Sequence, residues 1–363
     1  MRVLHAVESF TGGVLQSISL ICRSVPAIDE FAVLHGNREE TPNDLERWFN
    51  PGVRLIKWHV EREVSASGDL RAFRELRSVV RELRPDIIHA HSSKAGALCR
   101  LLTLVEDVNV VYSPRGYSFL RGDLSPAKQR FYRSLEWLLG KLDHITVACG
   151  AGELIHAASV SRRCVLIPNM IDVGHLGGLD GRRRHAATLA VAMCGRIQPQ
   201  KNFPLFASIA ERLQGEPFVF KWIGGGRVPP GCPVPPNVEI TGWLDRRAAL
   251  AQLASSDVFV QTSLWEGLPL AMLEAMALRL PVLAMPAVGN SELVIDGVNG
   301  FKCGCVDDFV DRLRELRDSS DLRARLGERG WHIVDRNHDA TVTATRWESL
   351  YRSFARYAQY GGV

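Results

Sequence analysis

Short apolar, β-branched runs alternate along this chain with longer segments whose apolar positions return every three or four residues. In the first half the runs are Arg2 to Val7, Phe31 to Leu34, Val53 to Lys57, Ile87 to His91, Val108 to Tyr112, Ile145 to Cys149 and Val165 to Ile167. In the second they are Leu189 to Cys194, Phe218 to Ile223, Val238 to Ile240, Asp257 to Gln261, Pro281 to Ala284 and Gly300 to Lys302. Continuous apolar runs of this length read as strands buried on both faces of a parallel sheet. Helical spacing predicts helices over Leu15 to Cys22, Leu70 to Leu83, Pro126 to Leu142, from Pro204, over Arg246 to Ala254 and over Leu270 to Leu280. Further polar helices are expected over Asp307 to Leu316 and Asp321 to Arg329, and a last helix over about Ala340 to Tyr357. Strand–helix alternation through both halves predicts an α/β chain of two doubly wound parallel-sheet domains.

A chain of 363 residues suits two domains. Between residues 168 and 188 the periodicity lapses, glycines accumulate and Arg182-Arg183-Arg184 forms a basic run, so the linker belongs there. The expected division is 1–168, 169–340 and a terminal helix, 341–363, carrying Trp347, Leu350, Tyr351 and Phe354 at helical spacing. A net charge of +4, spread without a concentrated basic face, does not describe a nucleic-acid binder. Eight scattered cysteines form no C-x-x-C pair, which reads as buried thiols of a cytosolic protein. Neither a signal peptide nor a transmembrane helix is expected. The segment Pro126 to Leu142 carries Lys128, Arg130, Arg133 and Lys141 beside its aromatic and leucine positions. Such a helix packs one face and solvates the other, or lies on an anionic membrane surface.

The chemistry gathers around Leu264-Trp265-Glu266-Gly267-Leu268-Pro269-Leu270-Ala271-Met272-Leu273-Glu274. Glu266 falls on the loop after a predicted strand, and Glu274 about two turns into the next helix, with Pro269 as its first residue. In open α/β sheets ligands bind at that end of the strands. A helix N-terminus there suits a diphosphate, and carboxylates beside it can accept hydrogen bonds from sugar and ribose hydroxyls. The plain structural alternative makes Glu266 a helix cap and puts Glu274 on a solvated face. Thr11-Gly12-Gly13-Val14 is a turn opening a helix after the first strand, a weak nucleotide signal by itself. His89 and His91 share a strand face, but no third ligand has suitable spacing, so zinc is not expected. P-loop, H-E-x-x-H, G-x-S-x-G, EF-hand and D-x-D patterns are all missing, and the last of these argues against a metal-held diphosphate.

Several motifs in order resemble the retaining glycosyltransferases of family 4, also called group 1, which have the GT-B fold. Ile167-Pro168-Asn169-Met170-Ile171-Asp172 resembles the family's IPNGID junction, with Met170 in place of its glycine. Gly195-Arg196 with Gln200-Lys201-Asn202, the E-x7-E pair Glu266 and Glu274, and Val288-Gly289-Asn290-Ser291-Glu292 through Gly297 to Phe301 also match. In the first half, Thr11-Gly12-Gly13-Val14 and His91-Ser92-Ser93-Lys94-Ala95-Gly96 fit. The resemblance implies two Rossmann-like domains facing a cleft, with the last helix crossing back onto the first. It further implies a metal-independent retaining enzyme without a cofactor, which takes a nucleotide diphosphate sugar, UDP by the family's habit, and closes on it with hinges at 168–188 and before the last helix. The acceptor would be a glycan, plausibly lipid-linked, at the cytoplasmic face of a membrane.

By the same resemblance Arg196 and Lys201 would hold the donor diphosphate, Glu274 the ribose and Glu266 the transferred sugar. Backbone N–H groups of Gly267 and Leu268 would assist, and Gly12 and Gly13 would let the first domain approach the diphosphate. One position departs: Ser113-Pro114-Arg115-Gly116 places Arg115 where many members have a histidine. Arginine stays protonated and cannot serve as a general base. Arg115 would instead stabilise the departing phosphate, bind an anionic group of sugar or acceptor, or staple its loop. That departure motivates a second reading, a catalytically silent nucleotide-sugar-binding protein of the same fold. An epimerase of this architecture would not need the two carboxylates beside R-x4-K.

Overall fold

The computed structural model describes residues 1–26, 28–38, 40–61, 64–179 and 188–360, without the side chains of 356–360. Two compact units divide the chain: residues 1–120, 124–170 and 340–363 form one, and 121–123 with 171–339 form the other.

In the amino-terminal unit the order is β1 (Arg2–Val7), α1 (Gly12–Ser24), β2 (Glu30–His35), β3 (Arg54–Lys57), α2 (Ala66–Leu83), β4 (Ile87–His91) and α3 (Ser93–Leu102). Then follow β5 (Val110–Ser113), α4 (Pro126–Leu139), β6 (Ile145–Ala148), α5 (Ala151–Val160) and β7 (Cys164–Leu166). All seven strands are parallel, in the order β3-β2-β1-β4-β5-β6-β7. The carboxyl-terminal unit runs α6 (Val173–Gly177), β8 (Leu189–Cys194), α7 (Phe203–Arg212), β9 (Phe218–Ile223), β10 (Val238–Ile240), α8 (Arg246–Ala254) and β11 (Val258–Gln261). It continues with α9 (Leu270–Ala277), β12 (Val282–Ala284), α10 (Asn290–Leu293), β13 (Gly300–Lys302), α11 (Val306–Asp318) and α12 (Ser320–His338). Its six strands are parallel in the order β10-β9-β8-β11-β12-β13. The last helix, α13 (Ala340–Tyr360), belongs to the amino-terminal unit, where Ala340, Ala344, Trp347, Tyr351 and Phe354 join the core of β1, β4 and α1.

Strands buried on both faces are what the apolar runs require, and the five residues of β4 are all buried. Helix starts follow capping chemistry. Ser65, Ser125 and Asp245 each accept a hydrogen bond from the backbone N–H three residues on, and Pro126 follows Ser125 at the first position of α4. Some expectations change. Pro269 is the N-cap of α9, extended at ψ 114, not its first helical residue. The helix expected from 321 to 329 runs on to His338. The one expected to reach Leu142 stops at Leu139, and Gly140, its C-cap, lies against the Val160 carbonyl too closely for any side chain. Within the segment read as a linker, Asp172 caps the short helix α6, while Arg182, Arg183 and Arg184 lie outside the described residues.

In each sheet the direction of winding reverses beside the first strand, between β1 and β4 and between β8 and β11. A doubly wound sheet leaves an opening at the carboxyl ends of those two strands, where no connection crosses. The loops that follow Val7, His91, Cys194 and Gln261 border those openings.

Candidate functional site

In the carboxyl-terminal unit the chain leaves β8 through Gly195, whose φ of +149 and closeness to the Lys201 side chain leave no room for a Cβ. A single 3-10 turn, Pro199–Lys201, follows, and Asn202 in the left-handed region (φ 54) starts α7. This compact loop delivers Lys201 to Glu266: Nζ donates to Oε1 at 2.7 Å, with both side chains largely buried. Two amides complete the grip. Gln261 Nε2 donates to Glu266 Oε1 at 3.2 Å, and Gln200 Nε2 donates to Oε2 at 3.3 Å and to the Trp265 carbonyl at 2.8 Å. The Thr262 hydroxyl bonds the Lys201 carbonyl, and Leu264 N–H the Gln200 carbonyl, so the two loops are laced together. Glu266 is thus no helix cap; it accepts hydrogen bonds at the switch point itself.

Glu274, on the second turn of α9, is buried and not on a solvated face. Arg246 Nη1, at the start of α8, donates to its Oε1 at 2.8 Å. Cys194, the last residue of β8, links the two carboxylate sites electrostatically. Burial pushes its thiol pKa up, the Glu274 charge pushes the same way, and Lys201 opposes them. Arg196 lies with its guanidinium carbon 5.7 Å from the ring centre of Trp243, an exposed indole after β10. Gly267 and Leu268 complete the loop before α9. Gly289 packs so tightly on the Gly267 carbonyl, at φ +81, that a Cβ there would come within 2.5 Å of the oxygen. Of the residues singled out in this half, the structure brings Lys201 and Glu266 into contact and gives Glu274 a separate cation.

In the amino-terminal unit Gly12 and Gly13 are the first two residues of α1, and Gly12 has φ +53. Arg115 follows β5 in the left-handed region, φ +57, an uncommon conformation for a residue with a Cβ. Its loop is fixed by Glu153, which accepts from Gly116 N–H at 2.6 Å and from Cys149 N–H at 2.8 Å. Arg115 Nη1 donates to Asn169 Oδ1, and to Ser17 Oγ at 3.4 Å.

Beside it stands a feature that the sequence reading denied. A third histidine does meet His89 and His91: β1 pairs with β4 in register His5 to His89, and the three imidazoles offer nitrogens within 4.8 Å of one another. His5 Nδ1 and His91 Nε2 are 2.9 Å apart, so one donates and the other accepts. His89 spends both nitrogens, on Tyr351 Oη at 2.7 Å and Ser113 Oγ at 2.9 Å. Burial, and then the Arg115 charge, lower the His5 pKa to about 3; His89 and His91 also fall well below the usual range, through burial and neighbouring positive charge. Rings that are neutral and hydrogen-bonded to one another beside an arginine make a polar core on which α13 docks. A divalent cation would have to compete with those hydrogen bonds and with the arginine.

Sequence reasoning passed over Gln200 and Gln261 as neighbours of Glu266, and Arg246 as the partner of Glu274. Gln261 was the one polar residue ending an otherwise apolar strand, which was a usable signal. Nothing local announced Arg246, because its pairing depends on where α8 lies against α9.

Comparison with known proteins gives concordant findings. The family model described as "Glycosyl transferases group 1" matches residues 188–319, and that described as "Glycosyl transferase 4-like domain" matches residues 16–170. The Escherichia coli UDP-Gal:alpha-D-GlcNAc-diphosphoundecaprenol alpha-1,3-galactosyltransferase is 28% identical over 294 residues, covering 72% of this chain and 74% of that protein. Among solved structures, the sucrose-phosphate synthase of Thermosynechococcus elongatus aligns with a TM-score of 0.81 at 16% identity, over 97% of this chain and 99% of that one. Anabaena HepE in complex with UDP-glucose aligns at 0.76 and 18% identity, over 97% and 100%.

Proposed function

We propose that this chain, which belongs to the group 1 glycosyl transferases of family 4 and has their GT-B fold, transfers a sugar from a UDP-sugar to an acceptor hydroxyl with retention of configuration and without a metal ion. The observation that carries the reading is the Lys201–Glu266 pair at the carboxyl ends of β8 and β11. A cation there can neutralise a leaving phosphate as its charge grows, and a carboxylate held by donors can take sugar hydroxyls. Arg196 would share the diphosphate, and Glu274 would hold the ribose. Gly267 and Leu268 would contribute N–H groups, and Gly12 and Gly13 the close backbone approach from the amino-terminal unit.

Chemically, the bond from the anomeric carbon to the phosphate oxygen breaks while a bond from the acceptor oxygen forms on the same face. The acceptor's proton passes to the departing phosphate oxygen. No side-chain base is needed in such a step, which suits an arginine at position 115. The UDP preference draws support from the UDP-sugar relatives, and the acceptor class, a cell-envelope glycan on a lipid diphosphate, from the E. coli galactosyltransferase.

Helix α4 supports working at the inner face of a membrane. Its buried side carries Glu136 and Leu139, and its outer side leaves Phe131, Leu135, Trp137 and Leu138 exposed among Lys128, Arg130, Arg133 and Lys141. An apolar stripe with a basic rim and no exposed acid on the helix suits anionic lipid. Among the described residues no helix is long and apolar enough to cross a membrane.

Thermal unfolding with UDP, GDP and ADP tests the donor site first, because a ligand bound only by the folded state raises the midpoint with concentration. No shift with any of them would sink the reading. Product analysis by proton NMR then reports the anomeric configuration, and turnover in excess EDTA reports metal independence. A protein that binds UDP yet never releases sugar from a UDP-sugar would be the silent binder, the second reading raised by the departure at position 115. Sedimentation with phosphatidylglycerol vesicles, compared with Phe131→Ser/Leu138→Ser, tests the membrane face.

A further inference from the structure

Arg115 is a half-buried cation with two of its three nitrogens unspent. Nη1 serves Asn169 and Ser17, whereas Nε and Nη2 are shut off from solvent and have no hydrogen-bond partner among the described residues. Those two nitrogens form one edge of the guanidinium, the edge whose parallel N–H bonds meet the two oxygens of a carboxylate or a phosphate together.

The Glu153 charge acts on Arg115 through space, but no carboxylate among the described residues is hydrogen-bonded to that edge. The nearest carboxylate that fixes this loop, Glu153, spends its two oxygens on the backbone of Gly116 and Cys149. Beside Arg115, His5, His89 and His91 are neutral rings. Guanidinium N–H groups taken out of water and left unpaired are costly, and an anion bonded to them offsets that cost. The left-handed backbone at Arg115 is a second expense at the same residue, and such strain concentrates where function needs one side-chain direction.

We propose that the Nε/Nη2 edge of Arg115 is the seat of an oxyanion, a phosphate or carboxylate borne by the acceptor, so that the enzyme selects acceptors carrying that charge. This rests on the proposed transfer to an acceptor hydroxyl and adds that the acceptor is held by the amino-terminal unit. Acceptors without the oxyanion leave the fork unpaired and are rejected, the same asymmetry by which a site built for a hydrogen bond excludes a ligand that lacks it. Arg115 is then a specificity-determining residue.

Isothermal titration calorimetry tests this with octyl diphosphate, glucuronate and octanol, each titrated with and without saturating UDP. The wild-type protein is expected to bind octyl diphosphate or glucuronate, but not octanol, whether or not UDP fills the donor site. Which of the two anions binds tells a phosphoryl from a carboxylate partner. Arg115→Gln is expected to weaken that binding at least tenfold while leaving UDP affinity unchanged. Arg115→Lys, a point charge without the fork, falls between the two. Equal affinities in all three proteins overturn the proposal. So does anion binding that UDP abolishes, which would make the seat part of the donor site. If Arg115→Gln unfolds, wild-type affinity in folded Arg115→Lys overturns it equally. Failure of UDP to bind would remove the proposed donor chemistry, yet the titrations without UDP would still be read.

Discussion

The two units use one winding scheme and fill its switch points with opposite electrostatics. At the ends of β8 and β11 stand charged groups in opposed pairs, Lys201 with Glu266 and Arg246 with Glu274. Along β1 and β4 stand neutral imidazoles, His5 and His89 within the strands and His91 at the end of β4, bonded to one another and to the tyrosine of the last helix. On the proposed function, the side chains that would meet the donor are kept ionic and close to the loops. The histidines under the last helix are buried and neutral. The same topology would then serve donor chemistry in one unit and the docking of a helix in the other.

The strongest test of that division is a stability measurement. Arg100 and Glu136 form an ion pair in the amino-terminal unit that is almost fully buried, at 2.8 Å, with Tyr112 Oη also bonded to Glu136. Glu136→Ala strands the arginine and is expected to cost about 3–5 kcal/mol in urea unfolding, with most of it recovered in Arg100→Met/Glu136→Leu. UDP affinity of the folded fraction should not move. Lys201→Ala is the mirror experiment. Turnover is expected to fall on the order of 10²–10³-fold, the loss typical of removing one stabiliser of transition-state charge, with little change in the unfolding midpoint. A large loss of stability with unchanged turnover would erase the contrast. Glu274→Gln comes next, with a rise in donor KM of about tenfold and a smaller effect on kcat, as expected for a lost charged hydrogen bond.

The smallest effect is a slope. Burial, and then the Arg100 charge, lower the His144 pKa to about 4. An unfolded histidine titrates near 6.5, so between those values the unfolded state binds the extra proton. The stabilisation is complete above about pH 6.5 and is lost as pH falls toward 4. His144→Gln should flatten the rise of unfolding free energy between pH 5 and 6 by about 1 kcal/mol per pH unit. An unchanged slope would show that this ring is not what couples stability to pH there.

What could be read without coordinates follows the same contrast. Strands buried on both faces write themselves as apolar runs, and β1, β4, β8, β9, β10 and β13 begin and end where those runs do. Glu266 and Glu274 drew attention because each lies a fixed step from a strand end, which is a local feature, whereas Arg196 and Lys201 were marked by the family resemblance. His5 was invisible as a neighbour of His89 because their contact is created by sheet order, which places the first strand beside the fourth. The same holds for Arg246 and Glu274, distant in sequence and joined by an ion pair only in the folded unit. The close approach of Gly140 to the Val160 carbonyl, twenty residues on, was likewise not legible, because it too is created by the fold.

Helix α13 has one more consequence, for the order in which the protein is made. Residues 171–339, nearly the whole of the carboxyl-terminal unit, emerge from the ribosome before it does. Until then His89 lacks Tyr351, and the amino-terminal core lacks Trp347 and Phe354. Domains generally fold in the order of their synthesis. Here the unit begun first is finished last, and a chain stalled at residue 339 would present one completed unit and one with its core still open.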